Sequence, residues 1–427
     1  MKKLMNVMLL VCAGNCAAAT FSVLDYGAKG DGVAKDTAAI QKAIDAANAA
    51  GGGTVEVPAG TYLTGSLFLK SNVDFHAGAG ATILGSPDKA DYNAPDICPQ
   101  NSWYAPESSF GAHLLLCIEQ ENVTLRGPGK IDGNSLAFIV GPDGKNWPGG
   151  QAKIPWRPSQ MLYFVESRNV RVQDLELANS TYWSCFFHGC EQVWARGLNI
   201  HNRRTPVHTH NGDGIDVDCC KYVTISDCHI DTADDCITLR ANGARLKNAA
   251  PECAFVTVAN CTLSTRCNAI RVGVGDGKIH DATFCNIAVH DSRTAVNIVS
   301  SWSTEKHGVD FLNIRFDNFT VECRKFCRIY PKQAKEAGFD NITFSNISGT
   351  TEEPSWIAGR KEYPMGRITF RNVDLPDGVG VLNVKDLRIE GGTLKRLELT
   401  PDETAKMNAD IAKDGFPGYV PIGGLRR

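Results

Sequence analysis

Three aspartates near the middle of the chain carry the strongest chemical signal. Asp213 lies in the segment Asn211-Gly-Asp-Gly-Ile-Asp216, and Asp234 and Asp235 follow as an adjacent pair. Carboxylates placed close together repel, so each disfavours ionisation of its neighbour. Such a group lets one carboxyl keep a proton while another loses it, as acid/base cleavage of a glycosidic bond requires. The trio is therefore a candidate catalytic site.

The same residues allow a second interpretation, a cation site. Three carboxylates and the side-chain oxygen of Asn211 are the hard oxygen ligands that calcium prefers. No histidine or cysteine spacing typical of a metal site includes the aspartate pair. We therefore expect no metal and no cofactor, and a calcium-binding acidic turn remains the alternative to catalysis.

A repeated phrase predicts the element that carries the aspartates. Apolar residues alternate with polar ones and end at Asn or Asp, as in Val223-Thr-Ile-Ser-Asp227, Val256-Thr-Val-Ala-Asn260 and Ile342-Thr-Phe-Ser-Asn346. Period-two alternation indicates strands, and recurrence after roughly 25–30 residues indicates a solenoid. We predict an all-β fold, a single-stranded right-handed parallel β-helix whose coils stack on one another.

Asparagines recur at the end of this phrase, and several fall in Asn-x-Ser/Thr sequences: Asn260, Asn318, Asn341 and Asn346. Asparagine tolerates turn conformations and its side chain bonds neighbouring backbone. We therefore interpret the recurring asparagines as a ladder at one turn of the solenoid rather than as glycosylation sites.

The chain divides into a leader, one large domain and a tail. Residues 1–19 predict a signal peptide, because Lys2 and Lys3 precede a short apolar run and small residues. Residues 20–399 are expected to form the β-helix, including an N-terminal cap with a helix over about residues 36–50. Residues 400–427 predict a tail with a short helix starting at Pro401. The protein is thus expected to be secreted or periplasmic.

Fourteen cysteines remain after the leader. In an exported protein the usual interpretation is some disulfide bonding. Many of these cysteines, such as Cys228 and Cys261, instead fall where a strand needs a core residue, and cysteine packs well as a small hydrophobe. We expect at least one disulfide, with Cys323 and Cys327 as a candidate pair in a small turn.

Composition narrows the class of partner. The net charge is −3 and no basic run is present, which argues against nucleic acid and against an anionic membrane surface. Aromatic residues in or beside long loops could stack on sugar rings: Trp103, Tyr104, Trp147, Trp156 and Trp183. We expect a monomer that binds a polysaccharide or oligosaccharide.

Aligning the apolar residues of successive strands predicts how the acidic residues meet. The strand residues between these apolar ones then point outward and form columns, one of which contains Asp216, Thr238, Arg271 and Asn297. Asp213, Asp235, Asn268 and Thr294 stand at the strand starts on successive coils. Stacked strands lie about 4.8 Å apart, so Asp213 and Asp235 become neighbours. Asp234 reaches the same cleft only if the chain bends at the strand start.

Several segments together resemble the polygalacturonase family of glycoside hydrolases, family 28. They are Asp25-Tyr-Gly-Ala-Lys-Gly-Asp-Gly, Gly51-Gly-Gly-Thr-Val-Glu-Val-Pro-Ala-Gly-Thr-Tyr62, and the coils bearing Asn211-Gly-Asp213 and Asp234-Asp235-Cys236. The resemblance covers roughly residues 21–375. It implies a parallel β-helix, Asp234 as the general acid, Asp213 and Asp235 activating water, and inversion of configuration. The aspartate spacing alone leaves inversion or retention open.

The chain departs from the family pattern at two places. Asn268 stands where the family has a histidine, and Asn297-Ile-Val299 stands where it has Arg-Ile-Lys. Arg271 and Arg240 are candidates to replace the missing cations, and Asn211 and Asn268 are candidates to bind the sugar. Ordinary polygalacturonan is therefore doubtful as substrate, and a neutral or mixed pectic linkage or an end-acting specificity is at least as plausible.

Two other functions stay open. A β-helix polysaccharide lyase would use a Lys, Arg or Tyr base beside a uronate, often with calcium. A non-catalytic carbohydrate-binding relative would keep the groove without turnover. The sequence favours a secreted hydrolase acting on glycosidic bonds through Asp213, Asp234 and Asp235.

Overall fold

The computed structural model describes residues 19–101, 109–140, 154–202, 211–301, 307–332 and 336–412. The predicted signal peptide and the aromatic residues Trp103, Tyr104 and Trp147 lie outside these ranges. Within these ranges there are twenty-nine strands, two α-helices and several short 3-10 helices. No helix of the described ranges is long and apolar enough to cross a membrane.

The helices are α1 (Thr37–Ala49) and α2 (Pro401–Ala412). The strands of the N-terminal half are β1 (Thr20–Ser22), β2 (Asp31–Lys35), β3 (Gly53–Val57), β4 (Gly60–Thr64), β5 (Leu67–Phe68), β6 (Val73–Ala77), β7 (Ala81–Gly85), β8 (Leu115–Ile118), β9 (Glu121–Arg126), β10 (Lys130–Asp132), β11 (Leu162–Val165), β12 (Arg168–Gln173), β13 (Glu176–Ala178), β14 (Cys185–His188), β15 (Glu191–Arg196) and β16 (Asn199–His201). Those that follow are β17 (Ile215–Asp218), β18 (Lys221–Ser226), β19 (His229–Thr232), β20 (Ile237–Ala241), β21 (Glu252–Thr265), β22 (Asn268–Gly275), β23 (Lys278–Ser300), β24 (Asp310–Pro331), β25 (Phe339–Glu353), β26 (Ser355–Ala358), β27 (Met365–Asp374), β28 (Val379–Leu382) and β29 (Val384–Gly392).

All of these strands pair in parallel, each with its counterpart on the next coil. One ladder runs through β5, β8, β11, β14, β17, β20, β22, the later parts of β23 and β24, β26 and β28. We call it the first sheet. A second sheet runs from β1 through β3, β6, β9, β12, β15 and β18, and a third from β2 through β4, β7, β10, β13, β16 and β19. The predicted single-stranded right-handed parallel β-helix is confirmed.

Stacked apolar side chains fill the interior of the solenoid. Phe284, Phe316, Phe344 and Phe370 lie directly above one another, with successive ring centroids 4.9, 4.9 and 5.0 Å apart. This spacing equals the separation of the paired strands. The period-two pattern of the sequence thus places one ring per coil in a continuous core.

The asparagine ladder is confirmed at a turn of the solenoid. Asn260, Asn286 and Asn318 all have left-handed backbone conformations, with φ of 57°, 56° and 56°. The Nδ2 of Asn286 donates to Oδ1 of Asn260 over 3.1 Å, and the Nδ2 of Asn318 donates to Oδ1 of Asn286 over 2.9 Å. Asparagine adopts this conformation more readily than most residues, which explains its recurrence.

Helix α1 covers the N-terminal end of the core and agrees with the expected cap. Its buried face carries Ile40, Ala43, Ile44 and Ala47. Asp36 precedes the helix, but its carboxylate accepts hydrogen bonds from the backbone N–H groups of Lys29 and Gly30 rather than from the helix. The short C-terminal helix is likewise found, as α2.

The disulfide expectation is wrong for the described residues, where all fourteen cysteines are free. Cys323 and Cys327 lie in one continuous strand, β24. The candidate pair is not bonded, because both thiols are free. Twelve of the fourteen thiols are buried, so cysteine serves here mainly as a core residue.

Candidate functional site

Stacking of the first sheet brings the candidate residues onto consecutive coils. The N–H of Gly214 donates to the carbonyl of Asp235 over 2.9 Å, and the N–H of Cys236 donates to that of Asn268 over 3.0 Å. Asp213, Asp235 and Asn268 therefore stand one above another, as the sequence predicted. The adjoining column also has the expected register, with Asp216, Thr238, Arg271 and Asn297 paired in that order.

A bend before β20 turns Asp234 toward the same cleft. Its backbone carbonyl accepts hydrogen bonds from the hydroxyls of Thr232 and Thr265. Its carboxylate accepts from the N–H of Asn211 over 3.2 Å and from the N–H of Asp235 over 3.1 Å. These contacts hold the bend, and all three aspartates line a single cavity of about 410 Å³.

Asp235 has the most completely bonded side chain of the trio. The Nδ2 of Asn268 donates to Oδ1 over 2.6 Å, and the backbone N–H of Asn268 donates to the same oxygen over 3.2 Å. The Nη1 of Arg271 lies 3.1 Å from Oδ2 in an ion pair. Asn268 thus acts as a hydrogen-bond donor to Asp235, and it carries no titratable proton near neutral pH.

Burial and mutual repulsion favour the protonated forms of the other two aspartates. Burial, followed by the charges of Asp216, Asp234 and Asp235, raises the pKa of Asp213 well above its usual range. Burial and the charge of Asp235 also raise the pKa of Asp234. A hydrogen bond from Cys267 and the charge of Arg271 act in the opposite direction on Asp234. The site can therefore hold a proton on one carboxyl while another remains ionised.

Asp216 is a buried carboxyl that the sequence did not single out as functional. Its side chain is 0% exposed, and its nearest charge partner is Nη1 of Arg240 at 3.7 Å. Neither of its oxygens accepts a hydrogen bond from any described residue. Burial raises the pKa of Asp216 to about 8, so this group adds to the proton-holding capacity beside Asp213. The position of Asp216 inside a strand does not indicate, from the sequence, that its carboxyl lacks hydrogen-bond partners among the described residues.

Arg240, a predicted sugar ligand, lies in the wall of the cleft. Its side chain is 5% exposed and its Nε contacts Oδ2 of Asp218 at 3.2 Å. The guanidinium carbon also lies 4.6 Å from the ring centroid of Trp183. Trp183 itself lines the cavity, but its side chain is buried among other aromatic residues. The ion pair with Asp218 engages much of the charge of Arg240 within the protein.

Three further cations line the cleft, and the sequence did not predict them: Arg293, Arg328 and Lys332. Arg328 pairs with Asn297, so it occupies the column of Arg271 two coils later. The sequence signal for Arg328 was the segment Cys327-Arg-Ile-Tyr330. This segment continues the column by one coil past Asn297. Variable loop lengths between coils concealed it.

The donor set does not suit calcium. Ligand atoms of Asp234, Asp235 and Cys267 lie within 4.8 Å of one another. However, Asn268 and Arg271 occupy the oxygens of Asp235, and the thiol is a poor ligand for a cation that takes six to eight oxygens. The guanidinium of Arg271 beside the trio further disfavours a divalent cation. The geometry favours the acid/base interpretation over the calcium-binding turn.

Comparisons with known proteins show which proteins this chain resembles. The family described as Glycosyl hydrolases family 28 matches residues 51–391. A probable polygalacturonase of Vitis vinifera is 30% identical over 234 residues, which cover 53% of this chain and 45% of that protein. An exo-poly-alpha-D-galacturonosidase of Dickeya chrysanthemi is 25% identical, over 87% of this chain and 74% of that protein.

Among solved structures, an exopolygalacturonase from Thermotoga maritima superimposes with a TM-score of 0.66 and 20% identity, covering 89% of this chain and 90% of that one. At this identity the likeness establishes the fold. The chain spans just under half of the grape protein's length, so the comparison bears on the shared region.

Proposed function

Because the chain belongs to glycosyl hydrolases family 28, we propose that it hydrolyses glycosidic bonds of a pectic or related polysaccharide at Asp213, Asp234 and Asp235. One observation carries the proposal: these three carboxyl groups line one cavity in which burial favours a retained proton. The positively charged wall of the same cavity supports a substrate that bears uronate groups.

Asp234 is the general acid in this proposal. Asp234 is only partly buried, whereas Asp213 and Asp235 are buried. The raised pKa of Asp234 keeps a proton available. Transfer of this proton to the glycosidic oxygen lets the leaving sugar depart as an alcohol. The negative charge of Asp235, held in place by Arg271, favours the protonated acid.

Asp213 and Asp235 activate the attacking water: the Asp235 carboxylate takes its proton, and Asp213 orients it. Asn268 and Arg271 fix the Asp235 carboxylate, and Asp213 lines the same cavity one coil before it. Attack by this water at the anomeric carbon, opposite the leaving group, inverts the configuration.

The cations of the cleft bear on the substrate. Arg271, Arg293, Arg328 and Lys332 line the same cavity as the aspartates. Guanidinium groups bind carboxylates through paired hydrogen bonds, so this wall suits the carboxylate of a uronic acid. The cations that Asn297-Ile-Val299 lacks are therefore supplied by residues on other coils. We favour a galacturonate-containing pectic chain as the substrate class. Export, which residues 1–19 suggest, completes the proposal.

The test is the variant Asp234→Asn assayed on pectic oligosaccharides. We expect the release of new reducing ends to fall by a factor on the order of 10³, while oligosaccharide binding measured by calorimetry persists. Asp45→Asn serves as the control, because Asp45 lies on the exposed side of α1 and pairs with Lys70. Following the anomeric signals of fresh product by NMR tests inversion.

Each alternative gives a different result in the same assay. Unsaturated products and loss of activity with a chelator would indicate a lyase. Binding of the wild-type protein to pectic oligosaccharides without any new reducing ends would indicate a non-catalytic relative. Full activity in the Asp234→Asn variant would contradict the proposed site.

A further inference from the structure

A second cavity, of about 340 Å³, adjoins the catalytic cleft on the side of the C-terminal coils. Arg328 and Tyr330 line both cavities. The remaining walls include Trp356 on β26 and Lys406 and Met407 on α2. The first sheet therefore presents two neighbouring depressions that share one wall.

The floor of this cavity is an aromatic ring fixed by its surroundings. Trp356 pairs with Arg328 on the preceding coil and with Gly380 on the following one. A Cβ atom on Gly380 would overlap the indole ring of Trp356 and come close to Leu399. The glycine therefore gives the ring room to lie across the next coil, where it stays partly exposed.

Positive charge surrounds the ring. The Nζ of Lys325, which also pairs with Glu353 over 3.0 Å, lies 5.9 Å from the centre of the Trp356 ring, and Arg328 and Lys406 line the same space. The one carboxylate of the lining, that of Glu403, accepts hydrogen bonds from the backbone and the hydroxyl of Thr400 at the start of α2. An exposed aromatic face bordered by cations suits a flat, partly apolar ligand with a negative charge.

We propose that this cavity is a distal subsite that binds a uronate residue of the same polysaccharide chain whose bond is cut in the cleft. The inference rests on the proposed function. Asp235 precedes β20, and Trp356 lies four strand spacings further along the first sheet, roughly 19 Å. An extended chain of several sugar residues can reach both sites, whereas the shortest cleavable oligosaccharide cannot. Trp356 contacts the sugar face, and Lys406 with Arg328 faces its carboxylate.

The test uses oligogalacturonates of increasing length with the variants Trp356→Leu and Lys406→Gln. For chains long enough to reach Trp356, we expect KM to rise on the order of tenfold, the effect of losing about 1.4 kcal/mol of binding. For the shortest cleaved oligomer, KM and kcat should stay at the wild-type values. Methyl-esterified oligomers, which lack the charge, should lose the dependence on Lys406 and keep the dependence on Trp356.

Trp194→Leu is the matched control, since its ring lies 4.7 Å from the guanidinium of Arg171 on the second sheet. It should leave KM unchanged at every length. A KM that does not depend on Trp356 for long oligomers, or that rises equally for all lengths, overturns the distal subsite. Absence of cleavage by the wild-type protein would instead contradict the proposed function, and calorimetry with long oligogalacturonates would still report whether Trp356 and Lys406 bind them. Melting temperatures confirm that each variant is folded.

Discussion

The side-chain amide of Asn268 donates a 2.6 Å hydrogen bond to Oδ1 of Asp235, while Arg271 holds the other oxygen of that carboxylate at 3.1 Å. Two donors from the next coil thus fix Asp235 from two directions. Asparagine supplies orientation without a titratable proton. All proton transfer in the proposed reaction therefore falls on the carboxyl groups.

Replacing Asn268 with leucine should lower kcat by roughly 10- to 100-fold. The substitution removes a hydrogen bond to a charged group, which contributes about 1.5–3 kcal/mol, and lets the Asp235 carboxylate rotate away from the water. Steady-state kinetics on a pectic oligosaccharide measure the effect. Thr294→Val is the control, because Thr294 pairs with Asn268 on the next coil; equal losses in both variants would argue against a positioning role for Asn268.

Replacing Arg271 with methionine should move the alkaline limb of the kcat profile to higher pH. The charge of Arg271 lowers the pKa of Asp234, so its removal raises that pKa further and keeps the proposed acid protonated over a wider range. Arg271→Lys retains the charge and should leave the limb near its wild-type position. A limb that shifts to lower pH in the methionine variant would contradict Asp234 as the acid.

Asp216 should make the stability of the protein depend on pH. Its pKa is raised by burial to about 8 in the folded state, above its usual value, so the folded form holds the proton more tightly than the unfolded form. This contribution to stability is complete below about pH 4 and is lost as the pH rises toward 8. The melting temperature of Asp216→Asn, measured against wild type, should therefore improve steadily from pH 5 to pH 8.

A control for this effect is Asp386→Asn, since Asp386 is exposed and paired with Arg367 and Arg388. Its melting temperature relative to wild type should not improve with rising pH. A difference between Asp216→Asn and wild type that stays constant from pH 5 to pH 8 would show that Asp216 does not bind a proton on folding.

In the asparagine ladder, Asn318→Ala should destabilise the protein more than Asn318→Gly. Both variants lose the 2.9 Å hydrogen bond to Asn286. Only alanine must in addition adopt the left-handed conformation, at a cost of about 1–2 kcal/mol. Urea denaturation of the two variants measures the difference, and equal midpoints would mean that the turn relaxes when the asparagine is lost.

Period-two alternation explains why much of the fold was predictable from the sequence. It fixes which residues face the core, and coil stacking then fixes the register, as in the column from Asp216 to Arg271. Long loops hid the continuation of that column at Arg328. The sequence could not reveal that Asp216 lacks hydrogen-bond partners among the described residues, because isolation depends on neighbouring coils.

The cysteines show a second limit of the sequence. A cysteine-rich chain that is expected to be exported suggests covalent cross-links, whereas in the structure Cys323 and Cys327 are both free and buried. In the sequence alone, a cysteine buried on the inner side of a strand cannot be distinguished from a cysteine paired in a disulfide. The contacts on adjacent coils distinguish them.

The column that runs from Asp216 through Arg271 and Arg328 to Trp356 also has a consequence for the effect of substitutions in this protein. Its positions repeat at a fixed pitch of one strand spacing per coil. A mutation at Arg328 or Trp356 changes a charge or a ring at one step of the groove and leaves Arg271, which holds Asp235, in place. Under the proposed function, substitutions at these outer positions can therefore alter polymer preference without altering the residues that cleave the bond.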